Sequence, residues 1–282
     1  MVPCGQCIGC KLRYALEWTV RCLHEAQTAG SGCFITLTYE DITANPSLHH
    51  PDFQKFMKRL RFNHAAAGAI RYYMCGEYGV NQDDIKAGMK KPRLGRKHFH
   101  AIIFGTDFPD KYFHETTESG EKLYRSPTLE KCWTLGHSSV GELNYESVSY
   151  VTRYILKKQT GVDSKEHYTY IDDHGFMSEV EPEYTRMSLK PGIGANWFNQ
   201  FKEDIYNYDE LVIPTKNGMK KAPIPKYYDE LMSRLDPETI EDLKITRQLN
   251  AKKFEKEQTL ERRSTRQYLR NKQIDKLKRS LQ

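Results

Sequence analysis

The sequence lacks any long apolar segment. None of its 282 residues belongs to a run that approaches the roughly 18–20 apolar residues of a membrane-spanning helix. Its N-terminus also lacks the pattern of a secretory signal. We therefore expect a soluble protein with no membrane partner. The glycine-rich patterns that hold nucleotide phosphates are missing as well, and this argues against a nucleotide cofactor.

The sequence also lacks the even set of cysteines that a disulfide framework would need. It has seven, and an odd number without a secretory pattern indicates a reducing compartment. Its 38% hydrophobic and 28% charged residues are typical of a globular protein. The length suits one good-sized domain with appendages, or two small domains.

Positive charge is concentrated at the C-terminal end. The formal net charge is +6, but residues 247–282 carry twelve Lys/Arg and four Asp/Glu, which is twelve minus four, or +8. Residues 1–246 therefore carry six minus eight, or −2. A basic tail on a nearly neutral body indicates a polyanionic partner, and a solvated charged helix is the alternative. Within the tail, Ile274, Leu277 and Leu281 have the spacing of a basic amphipathic helix.

Short segments rich in β-branched and aromatic residues alternate with helical patterns. The predicted strands are residues 33–40, 70–79, 97–105 and 138–143. The predicted helices are residues 12–27, 51–62, a short helix that starts at Ser126-Pro127, and a helix capped by Asn144. A surface loop is predicted at 106–125, and a loop-rich stretch from 160 to the segment 227–235. This mixed order favours a single α+β domain with an antiparallel or mixed sheet.

Two histidines flank a phenylalanine in the third predicted strand. Because side chains on a strand alternate between faces, His98 and His100 share one face and can form half of a site for a divalent metal ion. Glu77, between Gly76 and Gly79, would be a third ligand if the two strands are neighbours. Such a set suits Mn²⁺ or Mg²⁺ that also holds substrate oxygens, with zinc as an alternative. Without a metal, these residues would be surface histidines and a salt-bridged glutamate.

The stretch "SVSYVTRYILKK", residues 147–158, has a helical rather than a strand pattern. A helix separates an apolar side from a side with these residues: Tyr150, Tyr154 and Lys157, with Arg153 and Lys158 at its edges. Residues four apart on a helix lie about 5–6 Å apart, so both phenols face one small region. A tyrosine can act as a covalent nucleophile, and a nearby lysine would favour the phenolate or neutralise a phosphate. The alternative is an ordinary amphipathic helix with interfacial tyrosines and solvated lysines.

A Cys-x₂-Cys-x₂-Cys pattern lies near the N-terminus, formed by Cys4, Cys7 and Cys10. Structural zinc is our preferred interpretation, and there are three candidates for a fourth ligand: Cys22, His24 and Cys33. An iron–sulfur cluster is the second interpretation, although no fourth Cys-Pro follows. Free thiols in a disordered end are the third. Any role of this cluster would be structural.

The ordered motifs resemble a known family, the rolling-circle replication initiators of the HUH endonuclease superfamily. The resemblance is to the initiators of small single-stranded-DNA phages of the microvirus type, in the gokushovirus branch. It extends from residue 4 to about residue 194, through the stretches "PCGQCIGC", "FITLTYED", "GEYG", "KHFHAIIFG", "YVTRYILKK" and "RMSLKPGIG". It implies an α+β fold, namely an HUH-type palm with a central antiparallel sheet, a catalytic tyrosine helix packed against it, and a helical C-terminal tail.

The resemblance also implies a division of the chain. Residues 1–33 would form a Cys-rich N-terminal segment and helix, and residues 34–215 the HUH endonuclease domain. Residues 216–246 would be a C-terminal extension, and residues 247–282 a basic helical tail.

The resemblance implies a site and a reaction. His98, His100 and Glu77 would bind Mn²⁺ or Mg²⁺, and Tyr150 and Tyr154 would be paired nucleophiles. Lys157 or Lys158 would assist. One tyrosine would nick single-stranded origin DNA, keep the 5′ end as a phosphotyrosine and release a 3′-hydroxyl, and the second would cut the regenerated origin after one circuit. The order of the two tyrosines stays open.

The implied partners are the single-stranded DNA origin, a host helicase, because no helicase-type P-loop is present, and a host DNA polymerase. The implied location is the cytoplasm of the bacterial host. Two other functions stay open at this point. One is a non-catalytic single-stranded-DNA binding or packaging protein, and the other is a metal hydrolase that uses water as its nucleophile.

Overall fold

The structure is a computed structural model that describes residues 4–40, 45–64, 68–89, 93–156, 158, 164–171 and 174–275. Two compact units are present: the sheet unit is Ala29–Lys190, and the terminal unit is formed by the residues that precede and follow it in the chain. Among the described helices, none is both long enough and apolar enough to cross a membrane. The functional boundaries predicted from the sequence, with an endonuclease domain at 34–215, stay a prediction.

Helices and strands are mixed along the whole chain. In chain order they are α1 (Ile8–Ala29), β1 (Gly32–Tyr39), α2 (His50–Asn63), β2 (Arg71–Val80), α3 (Gln82–Lys86), β3 (Leu94–Phe104), β4 (Tyr112–Thr116), β5 (Lys122–Arg125), α4 (Pro127–Cys132), β6 (Gly136–Gly141), α5 (Tyr145–Thr152), a 3₁₀ helix (Arg153–Leu156), α6 (Ser164–His167), β7 (Thr169–Ile171), β8 (Met177–Glu179), β9 (Tyr184–Met187), α7 (Ala195–Tyr208), β10 (Leu211–Thr215), β11 (Gly218–Ala222), α8 (Lys226–Leu235), α9 (Pro237–Lys252), a 3₁₀ helix (Glu255–Gln258) and α10 (Leu260–Asp275).

A seven-stranded antiparallel sheet forms the centre of the sheet unit. Its strand order is β4-β5-β6-β1-β3-β2-β9, so β1, β3 and β2 lie side by side in the middle. A separate two-stranded hairpin joins β7 and β8. The predicted α+β class with an antiparallel sheet is therefore confirmed, and helices occupy the C-terminal part of the chain as expected.

One face of the sheet carries the main hydrophobic core. Alternate residues of the central strands, such as Ile35, Leu37 and Phe99, are completely buried there. Helix α2 packs its apolar stripe on them through Phe53 and Phe56, which are also completely buried. Burying a side chain of this size stabilises a fold by about 1.5–3 kcal/mol. Because strand side chains alternate, the intervening residues of β1, β2 and β3 belong to the opposite face.

Two predicted helix starts are confirmed by their capping contacts. The Ser126 hydroxyl accepts a hydrogen bond from the Leu129 N–H at 3.1 Å, and Pro127 occupies the first turn of α4. Asn144 caps α5 by accepting the Ser147 N–H at 2.8 Å, and the Ser147 hydroxyl in turn accepts the Asn144 N–H at 3.0 Å. This reciprocal pair fixes where the tyrosine-bearing helix begins.

The predicted surface loop at 106–125 is wrong. This stretch contains β4 and β5, which pair antiparallel and extend the sheet to its edge. The turn between them uses Gly120 at φ +84°, a left-handed conformation that suits glycine. All five residues of β4 are exposed, so its side chains leave no alternating apolar pattern to recognise. Backbone pairing to β5, which a sequence pattern does not record, defines this strand.

The predicted loop-rich stretch after residue 160 is also wrong in part. It contains the short strands β7 to β11 and the helix α7, whose Phe198 and Ile205 are buried. Helix α7 begins after Gly194, at φ +83° and without a side-chain cap, so it lacks the usual start signal. The predicted segment 227–235 is confirmed as most of α8. In the tail, Ile274 lies in α10, whereas Leu277 and Leu281 lie outside the described residues.

Candidate active site

The register of β2 against β3 brings the three predicted metal ligands together. Glu77 pairs directly with His98, and His100 lies two residues further along β3 on the same face. The Glu77 Oε1 is 2.5 Å from His98 Nε2 and 3.4 Å from His100 Nε2. One ligand atom from each residue lies within 4.8 Å of the others, and all three residues are buried. The arrangement is a compact set of two imidazoles and one carboxylate.

Hydrogen bonds orient both imidazoles toward Glu77. His98 Nδ1 lies 3.0 Å from the carbonyl oxygen of Arg96, so Nδ1 carries the proton and donates it. His100 Nδ1 lies 2.9 Å from the Thr36 hydroxyl. Both Nε2 atoms are therefore directed at the carboxylate. Contacts of this kind, on the second ring nitrogen, orient metal-binding histidines.

The donor set fits a divalent cation. With its proton on Nδ1, a neutral His98 presents a lone pair at Nε2 to a carboxylate oxygen 2.5 Å away. Two lone pairs at that distance repel each other unless a positive charge, either a proton or a metal ion, joins them. Two imidazole nitrogens and a carboxylate oxygen are ordinary ligands of first-row divalent metals, and the carboxylate also suits Mg²⁺.

Glu77 is ionised although it is completely buried. Burial raises the pKa of its carboxyl group, but hydrogen bonds and positive charge from His100 and His98 outweigh burial and lower the pKa below its ordinary value. The site therefore holds a negative charge in a place from which water is excluded. A buried negative charge of this kind attracts a cation.

The two glycines beside Glu77 have different surroundings. A Cβ atom on Gly76 would lie 3.1 Å from Phe99 Cε1 and 3.2 Å from Leu48 Cδ2, both in the hydrophobic core. The nearest atom to a Cβ on Gly79 would be the Arg96 carbonyl oxygen, at 3.4 Å. Gly76 thus serves the close packing of the opposite face of the sheet, and not the approach of ligands to a metal.

Helix α5 brings both predicted tyrosines onto this face of the sheet. It contacts β2 and β3, and its Val148 and Val151 are completely buried, as the helical pattern predicts. The ring of His100 lies between the tyrosines, with centroids 5.2 Å from Tyr150 and 5.3 Å from Tyr154. The two phenol rings are 4.9 Å apart in an edge-to-face arrangement.

The predicted helix over 147–158 differs from the structure in its extent. Helix α5 begins at Tyr145, ends at Thr152, and continues as a 3₁₀ helix through Leu156. Thr152 Oγ1 and Arg153 Nε both donate to the carbonyl oxygen of Ser149, at 3.3 and 2.9 Å. Side chains that compete for a backbone carbonyl weaken the regular helical pattern at this point.

The two tyrosines differ in their exposure. Tyr150 is half-buried, whereas Tyr154 is only 4% exposed. Burial, the charge of Glu77 and the neighbouring Tyr150 raise the pKa of Tyr154 well above its usual value. In this conformation Tyr150 is the phenol that a ligand from solvent can reach.

The predicted cations lie at the edge of what the structure describes. Lys157 lies outside the described residues, and Lys158 is half-buried in an irregular segment. Arg153, placed by the sequence at the edge of the tyrosine face, is a described cation near both phenols. Burial lowers the pKa of its guanidinium, and the phenols of Tyr154 and Tyr150 act in the opposite direction.

Two residues of β1 complete the site, and the sequence interpretation did not assign them a role. Thr36 is the register partner of His100 and contacts its Nδ1. The ring of Phe34 lies 5.6 Å from His100 and 6.3 Å from Tyr150. The alternation of "FITLTY" places Phe34 and Thr36 on one face of the strand. A polar Thr in a strand that pairs with the histidine strand was the available signal.

The three N-terminal cysteines also lie together. Their Sγ atoms are within 4.8 Å of one another, at the start of α1. Backbone N–H groups of Cys7 and Gln6 lower the pKa of the Cys4 thiol to about 7. The candidates for a fourth ligand are wrong. Cys22 and His24 lie on α1 at least twelve residues after Cys10, about 18 Å away at the rise of an α-helix.

Cys33, the remaining candidate, is buried in the core of the sheet unit among apolar side chains. Burial raises the pKa of its thiol far above the usual value, which disfavours the thiolate that metals bind. The other described cysteines, Cys75 and Cys132, are likewise buried. They are ordinary core residues.

Known proteins match this chain over the same region. The family model for replication-associated protein ORF2 matches residues 32–159, which include the three clustered ligands and both tyrosines. The replication-associated protein ORF2 of Spiroplasma virus 4 is 31% identical over 242 residues, which are 83% of this chain and 68% of the relative. The replication-associated protein VP4 of Bdellovibrio phage phiMH2K is 32% identical over 243 residues, 84% of this chain and 69% of the relative.

A more distant relative matches along most of this chain as well. The replication-associated protein ORF4 of Chlamydia phage 1 is 25% identical over 248 residues, which are 85% of this chain and 55% of the relative. No solved structure matches significantly. With two relatives above 30% identity that it covers by more than two thirds, this chain belongs to the ORF2 family, the replication-associated proteins of microvirus-like phages.

Proposed function

We propose that this chain is a replication initiator that nicks single-stranded origin DNA through a tyrosine and later rejoins the ends. One observation carries the proposal. The rings of Tyr150 and Tyr154 lie on either side of His100, which shares the Glu77 carboxylate with His98. Two nucleophiles next to one cation site are what repeated cutting and joining of a phosphodiester requires.

His98, His100 and Glu77 would hold the metal ion, Mn²⁺ or Mg²⁺. When bound, a divalent cation polarises the scissile phosphate and offsets its negative charge. The chain's own residues prepare the site for it. Arg96 and Thr36 orient the imidazoles, and β2 and β3 fix the positions of all three ligands. We regard this sheet, with α5 over it, as the HUH-type palm that the motifs imply.

The reaction conserves phosphodiester bonds. The phenol oxygen forms a bond to phosphorus, the bond from phosphorus to the 3′-oxygen breaks, and the phenol proton leaves as the 3′-oxygen gains one. In the reverse direction a 3′-hydroxyl attacks the phosphotyrosine and restores the phenol. No nucleotide is consumed, because each bond broken is replaced by one of the same kind.

Positive side chains near the phenols would assist proton and charge movement. Arg153 is close enough to Tyr150 and Tyr154 to interact with their phenolates. Lys157 or Lys158 would neutralise the phosphate or protonate the leaving oxygen. Arg153 stays protonated at neutral pH, so we assign it to charge stabilisation and the proton transfer to a lysine.

The difference in exposure suggests an order for the two tyrosines. Tyr150 is half-buried and accessible, and Tyr154 is buried against His100 with a raised pKa. Tyr150 would therefore make the first cut. Tyr154 would act after the first strand end is attached to Tyr150 and its surroundings have changed. Two tyrosines are needed because the first is still occupied when the second cut is due.

The remaining partners follow from this function. Single-stranded origin DNA is the substrate, and the basic residues of α10 would add affinity by contacting phosphates. A host helicase would separate the strands, and a host DNA polymerase would extend the 3′-hydroxyl. The reaction would take place in the cytoplasm of the bacterial host.

A direct experiment separates this function from its two alternatives. The full chain is incubated with Mn²⁺ and single-stranded oligonucleotides that tile the genome encoding it. A nickase yields a protein–DNA adduct that survives denaturation, together with a released 3′-hydroxyl fragment. Cleavage without an adduct would favour a hydrolase that uses water. Salt-sensitive binding without cleavage would favour a non-catalytic DNA-binding or packaging protein.

A further inference from the structure

The thiols of Cys4, Cys7 and Cys10 converge at the N-terminal end of α1. The Sγ atoms of Cys7 and Cys10 are 3.5 Å apart, and those of Cys4 and Cys10 are 3.9 Å apart. No disulfide joins them, since a disulfide bond is about 2.05 Å long. Three polar sulfur atoms thus occupy one small region at the surface of the terminal unit.

The sulfur spacing matches a single tetrahedral metal ion. Four ligands at the usual zinc–sulfur distance of about 2.3 Å form a tetrahedron whose edges are about 3.8 Å long. The two measured separations, 3.5 and 3.9 Å, bracket that length. In an iron–sulfur cluster each cysteine binds a different iron atom, so the sulfurs are further apart than ligands that share one ion.

The backbone holds the three thiols in place. Cys7 directly precedes α1, and its carbonyl oxygen accepts the Lys11 N–H at 3.0 Å, so Cys7 and Cys10 are one helical turn apart on the same side. Gly5, at φ +74°, turns the chain so that Cys4 lies over this turn. The Cys7 N–H donates to Cys4 Sγ at 3.3 Å. The cluster is therefore a built feature of the helix start.

We propose that these three thiolates bind one zinc ion, whose fourth ligand is a solvent molecule. The first turn of α1 contains no acidic residue, and its N-terminal end carries partial positive charge. Zinc with three thiolates has a net charge of −1, which this helix end stabilises. Cys4 is exposed and Cys7 and Cys10 are half-buried, so the fourth position is open to water. The ion would fasten the segment before α1 to its first turn.

This site is independent of the proposed nuclease chemistry. It belongs to the terminal unit, whereas His98, His100 and Glu77 belong to the sheet unit. A metal analysis alone could confuse the two, because the histidine site could also take up zinc. Cobalt separates them, since only thiolate ligands give Co²⁺ an intense near-ultraviolet charge-transfer absorption.

The test titrates metal-free, reduced full-length protein with Co²⁺ and then displaces it with Zn²⁺. We expect a thiolate–cobalt absorption that saturates at one equivalent and disappears when zinc is added. The Cys7→Ser/Cys10→Ser double variant should lose it, and the His98→Ala/His100→Ala variant should keep it. Cys22→Ala is the matched control, because Cys22 lies on the same helix but away from the cluster.

Comparison is restricted to variants whose far-ultraviolet circular dichroism equals that of the wild type, and the wild-type titration decides the matter without them. Absence of the absorption in wild-type protein, or bound iron with inorganic sulfide, would overturn the proposal. So would its loss in a folded Cys22→Ala variant. The Cys7→Ser/Cys10→Ser variant should still form a DNA adduct, so failure of the nuclease proposal and failure of the zinc proposal give different results.

Discussion

His98 and Glu77 face each other across β3 and β2, with His98 Nε2 2.5 Å from Glu77 Oε1. The carbonyl of Arg96 takes the proton of His98 Nδ1, so the other ring nitrogen faces an ionised carboxylate. This relationship makes the pair a place for a cation. Because His100 reaches the same carboxylate and contacts both tyrosines, the cation site and the phenols form one centre.

Removing the two imidazoles should separate catalysis from binding. We expect His98→Ala/His100→Ala to lose at least two orders of magnitude in Mn²⁺-dependent cleavage, because removal of even outer contacts of metal ligands costs about 10–100-fold. Salt-sensitive binding of single-stranded DNA should persist, as measured by fluorescence anisotropy. His137→Ala, on the neighbouring strand β6, is the control and should cleave normally. Retained cleavage in the double variant would rule out this metal site.

Gly76 and Gly79 offer a matched pair for testing the packing beside the site. Gly76→Ala should destabilise the fold by about 1–3 kcal/mol, because its Cβ would press on the buried Phe99 and Leu48. Gly79→Ala, whose nearest contact is an ordinary 3.4 Å, should cost less. Urea unfolding measures both free energies. Equal stability of the two variants would contradict the packing argument.

His24 should make the stability of the terminal unit depend on pH. Its ring stacks on Trp197 and contacts the Tyr228 hydroxyl at 3.0 Å, and burial lowers its pKa from 6.5 to about 3. Between these values the unfolded chain binds a proton that the folded chain does not. Stability from this residue is therefore present above pH 6.5 and is lost as the pH falls toward 3, by at most about 1.4 kcal/mol per pH unit.

The measurement for His24 is the free energy of unfolding at several pH values between about 6.5 and 4, the upper part of the window in which the unfolded histidine gains its proton. His24→Gln keeps a polar partner for Tyr228 but does not titrate, so we expect a flatter pH dependence in the variant. His114→Gln, on the exposed strand β4, is the control and should leave the pH dependence unchanged. An unchanged slope in His24→Gln would show that His24 is not the responsible group.

The charge of the tail should appear in the salt dependence of DNA binding. Arg270→Gln/Lys272→Gln on α10 should reduce the slope of log affinity against log salt by up to about 1.4, since each contact with single-stranded DNA contributes about 0.7. Lys55→Gln/Lys58→Gln is a charge-matched control on α2, which covers the opposite face of the sheet from the histidines. An equal change in both variants would contradict a specific role for the tail.

The site could be predicted to a large extent because its signals are local in the sequence. Alternation put His98 and His100 on one face, and helical spacing put Tyr150 and Tyr154 on one side, away from the buried valines. Glu77 required an assumption, namely that its strand is the neighbour of the histidine strand. The sheet order meets that assumption, but register is a long-range property that no local pattern records.

What could not be predicted depends on tertiary surroundings. The depth of Tyr154 follows from how closely α5 approaches β2 and β3, and the change to a 3₁₀ helix follows from competition for the Ser149 carbonyl. Strand β4 has no buried side chain, and α7 starts without a capping side chain. The fourth-ligand candidates for the cysteines failed because α1 is one continuous helix, which separates Cys10 from Cys22.

The most direct test of the central claim identifies which residue becomes attached to DNA. Wild-type protein, Tyr150→Phe, Tyr154→Phe and the double variant are incubated with Mn²⁺ and the cleaved oligonucleotide, and the adduct is digested and mapped by mass spectrometry. The account predicts first-round attachment to Tyr150 in the wild type. It also predicts a loss of first-round adduct of at least about 100-fold in Tyr150→Phe, a smaller loss in Tyr154→Phe, and no adduct in the double variant. Undiminished adduct in the double variant would contradict it.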